Sequence, residues 1–171
     1  MIIKRTLKVV SLILFISIIN YGQTSQPIQE NLEVSEITID ELNDFINNRE
    51  GKVLLINIWA TWCIPCKEEF PDLVKISDRY SEKIELVGIS IDYPDEVESK
   101  IITFLNDFQP SFINYVNVEN DIEKFINNLN PEWSGAIPAT FFYDSDGKQF
   151  LFYEGKMSFK EIENVALTMI K

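Results

Sequence analysis

The chain has 171 residues, of which 46% are hydrophobic, and this suits one domain of ordinary size with a packed core. It contains no histidine, which excludes a Ser-His-Asp triad, a Cys-His protease and histidine-ligated haem, copper or iron. The net charge of -12 opposes binding to nucleic acid and to anionic lipid, so we expect no nucleic acid partner and attribute the charge to solubility.

An export signal is predicted at the N-terminus. Three basic residues, the last of them Lys8, precede an apolar segment at residues 9–19, which is shorter than the roughly 20 residues of a spanning helix. We expect a signal peptide over residues 1–22 with cleavage near 22/23, and an uncleaved anchor is the alternative. The mature protein is therefore predicted to be periplasmic or otherwise extracytoplasmic, and membrane-tethered if the leader is retained.

A linker, a helix and a strand are predicted between the leader and the cysteines. Residues 23–35 are polar with little periodicity, which indicates a linker. Thr38 and Glu41 match a capping box that opens a helix, and Gly51 is expected to end it. The nearly continuous apolar run at residues 53–59 predicts a central strand that is buried on both faces.

The only two cysteines follow this strand, in the segment Cys63-Ile64-Pro65-Cys66. A helix is predicted from Cys63 to about Ser81, so Cys63 faces the unpaired N–H groups of the first turn, where the helix dipole favours thiolate over thiol. Cys66 lies one turn on, on the same face, and can attack a mixed disulfide on Cys63. The pair is therefore predicted to be a redox centre, with Cys63 as the nucleophile and Cys66 as the resolving thiol.

A structural disulfide and a metal site are the alternatives for this cysteine pair. Closing so short a loop gives about 2 kcal/mol in the chain-entropy model, so the bond would stabilise the fold poorly. A zinc site takes about four N, S or O ligands, and the chain offers no histidine and no third cysteine. We therefore predict neither a bound metal nor a cofactor.

Strands and helices alternate along the rest of the chain. Strands are predicted at residues 84–91, 112–118, 139–143 and 149–153, and helices from Asp92 to Phe108, from Asp121 to Leu129 and after a second capping box at Ser158 and Glu161. Such alternation indicates an α/β fold with a central mixed sheet and helices on both faces.

The apolar strand, the segment Trp59-Ala60-Thr61-Trp62-Cys63-Ile64-Pro65-Cys66 and Ile137-Pro138 before a strand resemble the thioredoxin superfamily. Glu69 and Pro71, which follow the second cysteine, make the chain similar to the TlpA/ResA-like exported thiol-disulfide oxidoreductases of bacteria. The resemblance implies a thioredoxin fold over residues 36–171, with an inserted strand and helix region at about 92–133.

The resemblance also implies roles for Glu69 and for the Ile137–Pro138 bond. Glu69 would take the proton of Cys66, directly or through water, and the alternative is a solvated glutamate like Glu68. The Ile137–Pro138 bond would be cis and lie opposite the cysteines, with the Ile137 backbone pairing with an extended substrate. The alternative is a trans proline that begins a strand.

The tryptophans near the cysteines are expected to differ in exposure. Trp62 is expected to be partly exposed and to contact substrate together with Ile64 and Pro65, whereas Trp59 is expected to pack in the core. Cytosolic thioredoxins have a buried aspartate where this chain has Asn57, which we expect to be a hydrogen-bonded polar residue in a strand. No histidine lies between the cysteines to stabilise a thiolate, so a strongly oxidising potential is not expected.

The sequence thus predicts an exported thiol-disulfide oxidoreductase that reduces protein disulfides, acts as a monomer and is fed by a membrane electron donor. A disulfide oxidase or isomerase is the alternative within the same enzyme class. A copper chaperone that holds metal between the two thiolates is the alternative from another class, although the absence of histidine argues against it. A peroxidase is not expected, because no Pro-x-x-x-Thr-x-x pattern precedes Cys63.

Overall fold

The computed structural model describes residues 32–48 and 51–170, so the predicted signal peptide and most of the predicted linker lie outside the described residues. The strands are β1 (Val34–Ile37), β2 (Val53–Trp59), β3 (Ile84–Ser90), β4 (Ile113–Asn117), β5 (Ala139–Tyr143) and β6 (Gln149–Glu154). The α-helices are α1 (Ile39–Asn47), α2 (Ile64–Tyr80), α3 (Ile102–Phe108), α4 (Ile122–Leu129) and α5 (Phe159–Met169). A 3₁₀ turn (Pro94–Glu96) and a π-helical turn (Val97–Ile101) precede α3.

The strands form a mixed sheet in the order β1-β4-β3-β2-β5-β6. The first four of these run parallel to one another, whereas β5 is antiparallel to both β2 and β6. β2 is buried along its whole length, as its apolar sequence predicts for a central strand. The cysteine segment follows β2 directly and therefore leaves the sheet near its middle.

Helices cover both faces of this sheet. Successive side chains of β2 point to opposite faces, so the strand offers apolar residues to the helices on each side. Val53, Leu55 and Trp59 join a core cluster with buried residues of α2, α3 and α5. Leu54 and Ile56 face the other way and pack with buried residues of α1 and α4. The predicted α/β fold with a central mixed sheet and helices on both faces is confirmed.

The helix caps follow local sequence signals. Both predicted capping boxes are present, at the start of α1 and at the start of α5. The expectation that Gly51 ends α1 is wrong, because the helix ends at Asn47 and Asn48 is its C-cap. Gly51 lies in the turn before β2, with a φ of 97° that glycine adopts at little cost.

Strand β1 was not predicted, and it begins at Val34, inside the segment expected to be linker. Only Ile37 of this strand is fully buried, so its four residues carry too short an apolar pattern to indicate a strand. β1 forms at the sheet edge because it pairs in parallel with β4, which is distant in the sequence.

The helix expected from Asp92 to Phe108 is wrong in its first half, since α3 begins only at Ile102 after the 3₁₀ and π-helical turns. The Asp92 carboxylate is buried and bonded to Thr61 and Ser90, so it does not cap a helix. Ile122, in the first turn of α4, is exposed, and the buried residues of this helix are Phe125 and Leu129. Among the described residues, no helix has the length and apolar composition needed to cross a bilayer.

Candidate active site

The two cysteines meet at the junction of β2 and α2. Cys63 is the N-cap of α2, and the backbone N–H of Cys66 donates to Cys63 Sγ at 3.2 Å. The two residues form a disulfide with their Cα atoms 5.3 Å apart. Cys63 is 5% exposed and Cys66 is 1% exposed, so Cys63 is the more accessible sulfur. When the pair is reduced, an N–H donor and the positive end of α2 both favour a thiolate on Cys63.

The Ile137–Pro138 peptide bond is cis, as predicted, and lies against the cysteine pair. The carbonyl oxygen of Ile137 is 3.7 Å from Cys63 Sγ. The Pro138 carbonyl accepts the N–H of Gly155 at 2.8 Å, which ties the segment before β5 to the end of β6. The alternative of a trans proline is therefore wrong, and the segment at Ile137 borders the reactive sulfur.

Apolar side chains surround the nearly buried Cys63. Trp62 is 61% exposed and Ile64 is 69% exposed, and Pro65 beside them is also exposed. Trp59 is buried and contacts the rings of Phe70 and Phe104, so the predicted difference between the two tryptophans is confirmed. The rim of the site is therefore apolar, and its floor is a packed aromatic cluster.

The loop before Cys63 is anchored by a buried carboxylate that the sequence did not indicate. Asp92 accepts the backbone N–H of Thr61 at 2.8 Å and the Thr61 hydroxyl at 2.6 Å. The hydroxyl of Ser90 also donates to Asp92, at 2.7 Å. Because β2 and β3 are parallel neighbours, their carboxyl ends bring Asp92 beside the loop that precedes Cys63. The one sequence signal for this role of Asp92 was its position directly after a predicted buried strand.

Glu69 lies one turn after Cys66 and is only 1% exposed. Its Oε1 accepts the backbone N–H of Met157 at 3.1 Å, while its Oε2 is buried without a hydrogen-bond partner. Burial is the main cause that raises the pKa of Glu69 to about 7. The neighbouring Glu68 is exposed and pairs with Lys156 at 2.7 Å. The alternative of a solvated Glu69 is therefore wrong, and the side chain can exchange a proton near neutral pH.

Asn57 occupies β2 beneath helix α2 and is buried. Its Nδ2 donates to the hydroxyl of Thr140 on β5 at 2.9 Å, which confirms the expected hydrogen bond.

Among the described residues, no group of three histidine, cysteine, aspartate or glutamate side chains could hold a metal ion. The arrangement that remains is a disulfide at a helix N-terminus, a cis-proline segment beside it and a buried carboxyl one turn away.

Two curated proteins from Bacillus subtilis and Oceanobacillus iheyensis are similar to this chain over most of its length. Thioredoxin-like protein YneN of Bacillus subtilis is 24% identical over 147 residues, which cover 84% of this chain and 82% of YneN. Thiol-disulfide oxidoreductase ResA of Oceanobacillus iheyensis is 28% identical over 132 residues, which cover 77% of this chain and 64% of ResA.

A solved structure of a thioredoxin family thiol:disulfide interchange protein from Chlorobium tepidum shares the fold. Its TM-score is 0.62 at 20% identity, and the match covers 75% of this chain and 85% of that one. The predicted thioredoxin fold is thereby confirmed. The model of the AhpC/TSA family matches residues 29–148, which is more than half of the sequence, and the chain therefore belongs to the AhpC/TSA family.

Proposed function

We propose that the protein, a thiol-disulfide oxidoreductase by its cysteine pair and its relatives, reduces protein disulfides outside the cytoplasm. The observation that carries the proposal is the placement of Cys63, which caps α2 and lies 3.7 Å from the carbonyl of Ile137 beside the cis proline. A thiolate stabilised at a helix N-terminus is the attacking species in disulfide exchange.

The reaction begins from the dithiol. The Cys63 thiolate attacks one sulfur of a substrate disulfide, that bond breaks, and the departing substrate sulfur takes a proton. Glu69 then accepts the proton of Cys66, whose thiolate attacks the mixed disulfide at Cys63. The second substrate sulfur leaves as a thiolate, and two electrons have passed from the protein to the substrate. The protein ends in the disulfide state, with Cys63 and Cys66 joined.

The surface around Cys63 suits an extended polypeptide. The backbone at Ile137 precedes β5 and can pair with a substrate strand by main-chain hydrogen bonds. Trp62, Ile64 and Pro65 provide the exposed apolar contact beside it. The substrate class is therefore an unfolded or flexible protein segment that carries a disulfide.

Export is inferred from the N-terminal sequence, where a basic region precedes a short apolar segment. An extracytoplasmic reductase must be reduced again after each cycle, because the cytoplasmic thiol pool does not reach it. A membrane-bound dithiol donor is the chemical class that meets this need. A monomer is sufficient for this chemistry, since the thiols, the cis proline and Glu69 all come from one chain.

Trapping of substrates and measurement of the reduction potential test this function. Cys66→Ser should accumulate mixed disulfides with proteins of the cell envelope, and Cys63→Ser should not, because only Cys63 makes the first attack. A potential of the Cys63–Cys66 couple near about −270 mV indicates a reductase, and one near about −120 mV would instead assign an oxidase. Insulin that remains oxidised after incubation with the reduced protein would contradict the proposal.

A further inference from the structure

The segment before the cis proline is bound by a carboxylate at the end of β6. Glu154 Oε2 accepts the backbone N–H of Ser134 at 2.9 Å, and Glu154 Oε1 accepts the Ser134 hydroxyl at 2.8 Å. The next residue, Gly155, donates its N–H to the Pro138 carbonyl at 2.8 Å. Glu154 and Gly155 therefore bind this segment on either side of Ile137.

The Ser134 hydroxyl connects Glu154 to the residue before Ile137. A serine hydroxyl can donate one hydrogen bond while it accepts another. Ser134 Oγ donates to Glu154 and accepts the N–H of Ala136 at 3.3 Å. The Ala136 carbonyl accepts the indole N–H of the buried Trp133 at 2.9 Å. Because Ala136 directly precedes Ile137, the bonds that fix Ala136 also set the direction of the Ile137 backbone.

Gly135 makes the segment depend on these bonds. Its φ is 87°, in a region that glycine adopts at little cost, and a glycine backbone has more conformations open to it than any other residue. A Cβ at Gly135 would lie 2.8 Å from Ile126 Cδ1, so α4 packs closely against the segment. The local sequence therefore leaves the segment free to move, and contacts from other elements order it.

We propose that Glu154 is a positioning residue for substrate binding, because through Ser134 its carboxylate holds the Ile137 backbone where a substrate strand pairs beside Cys63. The inference rests on the proposed function, in which the substrate is an extended polypeptide. A segment that is already ordered loses less conformational entropy when the substrate binds. A small disulfide has no main chain to pair with Ile137 and gains nothing from this order.

The loop that precedes Cys63 is held by the same kind of contact. Asp92 accepts the backbone N–H and the hydroxyl of Thr61, as Glu154 does for Ser134. Asp92 is buried, whereas Glu154 is exposed. Hydrogen bonds and ion pairs at the surface contribute little to global stability, so Glu154 can be replaced while the fold is kept.

Rapid mixing of the reduced protein with an excess of disulfide tests the inference with two substrates. One is an uncharged peptide that carries a disulfide, and the other is dithiodipyridine, a small uncharged disulfide. In Glu154→Ala, the half-saturating concentration of the peptide should rise by about 3- to 10-fold, because two hydrogen bonds that order the segment are lost. The limiting rate with the peptide and the rate with dithiodipyridine should stay within about twofold of the parent.

Three further variants separate the hydrogen bonds from the charge and from general effects of substitution. Glu154→Gln can accept the N–H of Ser134 and donate to its hydroxyl, so it should keep the parental half-saturating concentration. Ser134→Ala breaks the link to Ala136, should resemble Glu154→Ala and remains available if that variant does not fold. Glu41→Ala is the matched control, because Glu41 accepts the N–H and the hydroxyl of Thr38 in the same way. It should change neither substrate, since β1, which Thr38 follows, is separated from β2 by β4 and β3.

The outcomes distinguish this inference from the proposed function. If the parent reduces both disulfides and Glu154→Ala saturates with the peptide as the parent does, the function stands and the inference fails. An equal loss with both substrates overturns the inference, because it would show a general effect on Cys63. A defect in Glu154→Gln as large as that in Glu154→Ala assigns the effect to charge and also overturns it. A reduced parent that leaves the peptide oxidised refutes the proposed function and, with it, the inference.

Discussion

Replacement of Glu69 by glutamine should stabilise the protein above neutral pH while it slows the reaction. The carboxyl is buried, and its pKa of about 7 lies above the ordinary value of 4.5. The folded protein therefore binds this proton more tightly than the unfolded chain, and stability is lost as the pH rises from about 4.5 through 7. At pH values above this range, the loss in the free energy of unfolding reaches about 3 kcal/mol. Glutamine has the same shape, can still accept the N–H of Met157 and has no proton to lose.

Urea unfolding of the oxidised protein at a series of pH values measures this effect. The parent and Glu69→Gln should have similar free energies of unfolding near pH 4, and the variant should be more stable by about 3 kcal/mol near pH 8. The hydrogen bond to Glu68 and, to a lesser extent, the Glu69 charge raise the pKa of Lys156, but this group stays protonated over the whole pH range of the experiment, so the difference between the two proteins reports the titration of Glu69. Glu68→Gln is the matched control, because this exposed neighbour only pairs with Lys156 and should change stability by less than about 1 kcal/mol at any pH.

The same variant should lose rate in the resolving step. General base catalysis contributes about 10²–10⁴-fold, so stopped-flow reduction of a disulfide by Glu69→Gln should be slower by a factor in that range. Alkylation of Cys63 should remain close to that of the parent, because the N-cap position of Cys63 is untouched. Parallel stability curves for the parent and Glu69→Gln would refute the raised pKa, and equal reduction rates would refute the catalytic role.

Three further predictions concern the cysteines, the sheet and the loop that precedes Cys63. Cys66→Ser should trap mixed disulfides that non-reducing electrophoresis detects, and capture by Cys63→Ser instead would reverse the assigned roles. Gly88→Ala should lower the free energy of unfolding by about 1–3 kcal/mol, because its Cβ would lie 2.1 Å from the Oδ1 of Asn114, and an unchanged melting curve would contradict this contact. Asp92→Ala should cost about 1–3 kcal/mol in chemical unfolding, because it leaves the partly buried N–H and hydroxyl of Thr61 and the buried hydroxyl of Ser90 without their acceptor, and a cost near zero would show that water replaces the carboxylate.

Much of the site could be predicted from the sequence, because its signals lie within a few residues of one another. The order of strand, cysteine pair and helix is local, and so are the two capping boxes, which the structure has where the sequence places them. A helix N-terminus acts on its own first turn, and therefore the sequence alone indicated Cys63 as the nucleophile. The cis bond before Pro138 followed from resemblance to a family and not from any local pattern.

Tertiary structure decided what the polar residues do. Glu68 and Glu69 are adjacent glutamates on one helix, and only the packing of α2 on the sheet exposes the first and buries the second. The backbone N–H that donates to Glu69 belongs to Met157, and the hydroxyl that accepts from Asn57 belongs to Thr140. Each partner is more than 80 residues away in the sequence. β1 likewise exists because β4 pairs with it. The sequence by itself determined where the thiols lie and where α1, α2 and α5 begin, since those starts depend on neighbouring residues. Burial and proton affinity depend on groups that only the folded chain brings together.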